Sequence, residues 1–206
     1  MSLETRRIST ETKGWLIEAV VVLRDGGLVA FPTDTVYGLG ALAANGDAIE
    51  AIYRAKARPP EKSIPVLVAG WAHVDGIALP TDRAERLAAA FWPGPLTIVL
   101  KRDPRLARSV GPGGTVGVRA PNHAAALELL RSAGPLATSS ANRSGEPSLR
   151  TAAEVLAILQ GRIHLVVDGG ESPGGLPSTV VDCTGELPVL VRDGQVGLQD
   201  ILAIWL

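Results

Sequence analysis

The sequence predicts an α/β fold built on a twisted, mixed β-sheet flanked by helices. Three observations carry this reading. Apolar runs of strand length alternate with segments that have helical start and stop signals. Gly and Pro (23 and 15 of 206 residues) fall in short clusters between those runs, where turns belong. The last third places three strand candidates in succession, which argues for a mixed sheet over a purely parallel one.

In chain order, residues 11–25 carry apolar positions at Trp15, Ala19, Val22 and Leu23 ahead of Gly26-Gly27, a helix with a glycine stop. Leu28 to Phe31 is a short strand. Asp47 and Glu50 suggest a capping box for a helix running to Ala57, which Pro59 ends. Ile64 to Ala69 reads as a buried strand, and Thr81 caps a helix through Phe91. Leu96 to Leu100 and Thr115 to Val118 are strands. Asn122 is the expected cap of a helix over Ala124 to Leu130, and Pro135 to Thr138 is a further strand. Thr151 and Glu154 form a second capping box for a helix to Leu159. Ile163 to Val167, Thr179 to Val181 and Val189 to Val191 are strands, and Leu198 to Leu206 closes as a helix.

Composition narrows the function. Hydrophobic residues make up 46% and charged residues 20%, which fits a globular domain and excludes intrinsic disorder. A net charge of -1 excludes a uniformly basic nucleic-acid coat, though not a local patch. One cysteine, Cys183, forbids an internal disulfide, and three scattered histidines make a zinc site improbable. The N-terminal MSLETRRIST lacks the apolar stretch of a signal peptide, and no run is long enough to span a bilayer, so the cytoplasm is the expected location. One domain over residues 1–206 is the economical reading.

Common motifs fail. There is no phosphate-loop signature, and Gly38-Leu39-Gly40 lacks the third glycine of a dinucleotide fingerprint. Gly111 to Gly114 leads into a strand, not a helix. No nucleophile elbow surrounds Ser139-Ser140, and His123 and His164 read as structural. Cys183 reads as a small buried hydrophobe.

What stands out is polar residues at strand ends, where open α/β sheets bind ligands. Thr33, Asp34 and Thr35 follow one strand, and Thr138 to Asn142, with Ser144 and Ser148, follow another. Arg119 and Arg192 end two more, and Ser178 opens one. Between Arg54 and Lys62, four cations flank Pro59-Pro60. That stiffened loop can turn Arg58 and Lys62 toward an anion, a polyphosphate or a nucleic-acid backbone.

Taken together, the segments FPTDTVYGLG (31–40), KARPPEKSIP (56–65), FWPGPLT (91–97), TVGVRAPNH (115–123), PLATSSANRSGEPS (135–148), PSTVVDCTG (177–185) and VRDGQV (191–196) resemble the YrdC/TsaC family of threonylcarbamoyl-AMP synthases. The ordered set covers residues 12–196, the core of a single YrdC-like domain.

The resemblance implies a twisted sheet with a concave, basic ligand-binding face. It also implies a reaction that joins L-threonine, bicarbonate or CO2 and ATP into threonylcarbamoyl-AMP and pyrophosphate. ATP would come with Mg2+ held mainly by phosphates and water. Partner proteins would then pass the threonylcarbamoyl group to adenosine 37 of tRNA, with tRNA contact an open question. By the resemblance, Thr35, Arg119, Thr138 and Ser178 hold threonine. Arg58, Lys62, Thr115, Ser140, Ser148 and Arg192 surround ATP, and Lys56 with Arg58 forms the catalytic basic motif. Many relatives carry a histidine nine residues after the motif arginine, where this chain has Leu67. Such a site joins anions, so it needs charge neutralisation and positioning more than an acid–base pair. The alternatives are a double-stranded RNA or tRNA-binding module, and a carbamoylation domain of the hydrogenase-maturation type.

Overall fold

The computed structural model of the protein describes residues 3–174 and 176–206. The elements run β1 (Arg6–Ser9), α1 (Trp15–Arg24), β2 (Val29–Phe31), β3 (Gly38–Leu42), α2 (Gly46–Lys56), β4 (Val66–Leu67), α3 (Asp82–Phe91), β5 (Leu96–Lys101), β6 (Thr115–Arg119), α4 (Ala124–Ala133), β7 (Leu136–Ser140), α5 (Ala152–Leu159), β8 (Leu165–Asp168), β9 (Thr179–Asp182), β10 (Val189–Arg192) and α6 (Leu198–Trp205). The strands form one ten-stranded mixed sheet in the order β1-β8-β2-β3-β7-β4-β6-β5-β9-β10.

Register decides which side chains share a face. Leu67 lies opposite both Arg119 of β6 and Leu136 of β7. Because side chains alternate, Thr115, Gly117 and Arg119 stand on the same face as Thr138 and Ser140. That face is half covered. Trp15, Ala19 and Leu23 of α1 and Ala126, Leu129 and Leu130 of α4 pack with Phe31, Leu67, Leu136 and Leu165. Beyond β4 no helix follows, so Thr115 is exposed and Val99, Gly117, Val180 and Asp182 are half-exposed. The opposite face is closed by α2, α3, α5 and α6, whose Ile52, Leu87, Leu159 and Ile201 join Leu39, Val66, Ile98 and Val181 in the larger core.

Local expectations met mixed outcomes. The glycine stop of α1 forms, with Gly26 at φ 80 and its N–H on the carbonyl of Leu23. The Thr151–Glu154 capping box is present in both halves. Two caps differ. Asn45, not Asp47, starts α2, its side chain accepting from the Ala48 N–H at 3.1 Å, because Gly46 and Asp47 already lie inside the first turn. His123, not Asn122, is the residue before α4, and no side-chain cap bond forms there. Two strands were not expected. β1 pairs in parallel with β8 at one sheet edge, and Gly38–Leu42, which the sequence reading assigns to no element, is the interior strand β3. β3 needs its glycines: a Cβ at Gly38 would meet the Thr138 methyl at 2.8 Å, and one at Gly40 the Phe31 ring at 2.9 Å.

Among the described residues, no helix is long and apolar enough to cross a membrane. Cys183 is buried, and burial pushes its thiol up to about 12. A thiol reagent at pH 8 is therefore expected to label Cys183 only after denaturation; labelling of the folded protein would contradict this burial.

Candidate active site

The β2–β3 connection is built by Thr33. Its hydroxyl donates to the Val36 carbonyl at 2.7 Å and accepts from the N–H groups of Thr35 and Val36. This hydroxyl turn sets Asp34 and Thr35 toward the end of β6. There Arg119, 7% exposed, donates through Nη2 to Asp34 Oδ1 at 2.5 Å, through Nε to the Gly94 carbonyl at 3.0 Å and through Nη1 to Thr35 Oγ1 at 3.4 Å. A guanidinium has five N–H donors, so one remains on each terminal nitrogen. Thr138 is buried on β7 opposite Gly40 of β3, its hydroxyl donating to the Leu136 carbonyl at 3.0 Å. Its oxygen therefore meets any further partner as an acceptor. The segment after β8 closes the other side. Gly174 N–H donates to the Thr35 carbonyl at 2.8 Å, and the Tyr37 hydroxyl donates to the Gly170 carbonyl at 2.7 Å.

A second group lies at the start of β9. Arg192 donates through Nε and Nη2 to the Ser178 carbonyl at 3.0 and 2.8 Å, and through Nη2 to Ser178 Oγ at 2.9 Å. Burial, and then the positive charge of Arg119, lower the Arg192 pKa. The hydroxyl of Thr97, buried on β5, lies 3.0 Å from Ser178 Oγ.

A third group joins α2 to the loop after β7. Lys56, 1% exposed, donates from Nζ to the carbonyls of Ser140 and Asn142, and its own carbonyl accepts the Ser144 N–H at 2.9 Å. Burial, with Arg58 adding to it, brings the Lys56 ammonium down to about 8. Asn142 completes the loop by donating from Nδ2 to the carbonyls of Arg143 and Glu146. Arg58 is half-buried and donates to the carbonyls of Lys62 and Ser63 at 3.0 and 2.9 Å, which folds its own loop around it. Lys62, Thr115 and Ser148 are exposed around this open half of the sheet.

The structure thus joins Thr35 to Arg119, Ser178 to Arg192 and Lys56 to Ser140. Leu67 is part of the apolar cluster under α1 and α4. Two residues outside the expected set matter to the geometry. Asp34 anchors Arg119, and Thr97 touches Ser178. Thr97 had a readable signal, a hydroxyl inside the apolar run LTIVL. His164 is structural, its Nδ1 accepting the Leu28 N–H at 3.0 Å.

The family profile for Sua5, YciO and YrdC proteins, described as telomere recombination, matches residues 21–194. The chain belongs to the Sua5/YciO/YrdC family. It is 42% identical over 193 residues to the threonylcarbamoyl-AMP synthase of Bacillus subtilis, covering 92% of this chain and 56% of that one. It is 43% identical to the synthase of Pyrococcus abyssi, covering 91% and 56%. The structure of Pyrococcus abyssi Sua5 complexed with L-threonine matches with a TM-score of 0.90 and 39% identity, over 97% of this chain and 60% of that one. The chain therefore spans little more than half the length of these relatives. The YrdC-like fold expected from the sequence is the fold observed.

Proposed function

We propose that this Sua5/YciO/YrdC domain is a threonylcarbamoyl-AMP synthase, an adenylyl-transferring enzyme. It would join L-threonine, bicarbonate and MgATP and release pyrophosphate. The observation that carries the proposal is that the Asp34–Arg119–Thr35 cluster at the end of β6 and the Ser178–Arg192 pair at the start of β9 border an uncovered half-sheet, in a chain about 40% identical to relatives of that name. That identity favours the synthase over an RNA-binding module or a carbamoylation domain.

In this reading the free N–H groups of Arg119 take the threonine carboxylate, while Thr35 and Thr138 offer acceptors to its amine. Ser178 completes that pocket. Arg58, Lys62, Ser140, Ser148, Thr115 and Arg192 surround ATP. Lys56, with its ammonium on two main-chain carbonyls, acts by shaping the Ser140–Ser148 loop. The threonine ammonium gives up a proton to solvent, and the neutral amine condenses with bicarbonate, releasing water, to give a carbamate whose oxygen attacks the α-phosphate as pyrophosphate leaves. Two anions must meet, so fixed cations and donors around them lower the barrier. ATP enters as its magnesium complex, most metal ligands being phosphate oxygens and water. The product would pass to the proteins that modify adenosine 37 of tRNA.

Omitting substrates one at a time tests the reaction. Pyrophosphate release from MgATP is expected to require both threonine and bicarbonate, and release that continues without threonine would refute it.

The basic loop makes a separate prediction. Arg58→Ala is expected to weaken ATP binding roughly ten- to a hundred-fold, because a charge-assisted contact is worth about 1.5–3 kcal/mol. Threonine binding should barely change. Calorimetric titration of the variant with each substrate checks both halves; unchanged ATP affinity would remove Arg58 from the phosphate site.

A further inference from the structure

We infer that Thr97 is a positioning residue: its hydroxyl donates to Ser178 Oγ and so turns the Ser178 proton outward, onto the carboxylate of the amino-acid substrate. The inference rests on the proposed synthase reading and deepens it by assigning the direction of one hydrogen bond in the amino-acid pocket.

Thr97 is 6% exposed and Ser178 4% exposed, so both hydroxyl protons need partners. Thr97 sits on β5, one strand from β9 in parallel register, and Ser178 immediately precedes β9. Their oxygens are 3.0 Å apart, a contact that either could donate. Arg192 occupies one acceptor position of the pair. Its Nη2 donates to Ser178 Oγ at 2.9 Å, so one acceptor position of that oxygen is already filled by a group that can only donate.

Two arrangements remain. If Ser178 donated to Thr97, the Thr97 proton would need another acceptor, and Ser178 Oγ is its one side-chain hydrogen-bond neighbour among the described residues. A buried donor would then be left unmade, with its full desolvation cost. If Thr97 donates to Ser178, that oxygen accepts from both Arg192 and Thr97, and the Ser178 proton is the one left for a bound substrate to accept. The second arrangement leaves a hydroxyl donor where the site needs one, next to guanidiniums that favour an anion.

Packing fixes the Thr97 rotamer that this requires. A Cβ on Gly117 of β6, which pairs with Val99 and lies diagonal to Thr97 on the same face, would come within 3.0 Å of the Thr97 methyl. The methyl thus fills the space over Gly117 and leaves the hydroxyl for the β9 side. A buried threonine here serves both contacts, whereas valine would keep the packing and lose the donor.

Thr97→Val, Thr97→Ser, Ser178→Ala and the Thr97→Val/Ser178→Ala double variant test this by threonine titration followed through tryptophan fluorescence, alongside steady-state turnover and thermal melting. Thr97→Val is expected to weaken threonine binding about tenfold, with the KM for ATP changed less than about twofold and melting little altered. Thr97→Ser, which keeps the hydroxyl, should restore binding to within about twofold of the parent. In the Ser178→Ala background, Thr97→Val should add no further loss, because Thr97 acts through Ser178. Parental threonine affinity in Thr97→Val, or equal damage from Thr97→Ser, would overturn the inference while leaving the synthase reading intact. Absence of both threonine binding and turnover in the parent protein would overturn both.

Discussion

Replacing Arg119 with Ala is expected to reduce kcat/KM for threonine by roughly two to three orders of magnitude. The variant loses more than a surface charge. Arg119 is ion-paired to Asp34, with side chains 9% and 14% exposed. It also holds the Gly94 carbonyl and Thr35. Losing two charge-assisted contacts to the substrate carboxylate, at about 1.5–3 kcal/mol each, corresponds to about a factor of ten for each 1.4 kcal/mol. Arg119→Lys should be nearly as damaging, because one ammonium cannot serve Asp34, Gly94 and Thr35 together and still meet a carboxylate. Steady-state kinetics with threonine varied at saturating ATP measures this; a lysine variant within about threefold of the parent would mean that only charge matters at the site.

The second large effect is expected at Lys56. Lys56→Met keeps the buried stem and removes the donor to the Ser140 and Asn142 carbonyls. Two hydrogen bonds from a charged group, at about 1.5–3 kcal/mol each, put the expected loss at roughly 3–6 kcal/mol before relaxation of the loop. Turnover should fall further than the fraction folded, because that loop carries Ser140 and Ser148. The lysine also titrates below its ordinary value of 10.5, at about 8. Between those two pH values the unfolded chain binds the proton more tightly, so this residue's contribution to stability rises as pH goes from about 8 to 10.5. Denaturant unfolding of parent and variant at both ends of that window should show the parent gaining relative to Lys56→Met. A constant difference would mean that Lys56 titrates normally.

What the sequence made legible was local. The Thr151–Glu154 capping box and the glycine stop after Leu23 are encoded within a few residues, and both form. β3 was hidden because its two glycines are poor strand formers in isolation. They become strand only where the Phe31 ring and the Thr138 methyl occupy the space a side chain would take. β1 was hidden because Arg6–Ser9 has no buried apolar face and is held at the sheet edge by β8.

The candidate site divides in the same way. Hydroxyls and cations at strand ends could be read directly, since chain position alone brings them to the rim. Their pairings could not. Arg119 finds Asp34 across 85 residues, Lys56 finds Ser140 across 84, and Thr97 finds Ser178 across 81. No local pattern encodes contacts at that separation; the order of strands in the sheet does. Lys56 shows the consequence. The resemblance offered it, with Arg58, as a catalytic basic motif, while the structure buries its ammonium among main-chain carbonyls.

As the proposed synthase, this domain would join three substrates in one site into a mixed carbamic–phosphoric anhydride. The most direct measurement is mass spectrometry of the nucleotide product formed from MgATP, threonine and carbon-13 bicarbonate. The account predicts an adenylate that carries both the threonine mass and the carbon-13 label, formed together with pyrophosphate. An unlabelled threonyl-adenylate, or ADP and phosphate in place of AMP-containing product, would contradict it.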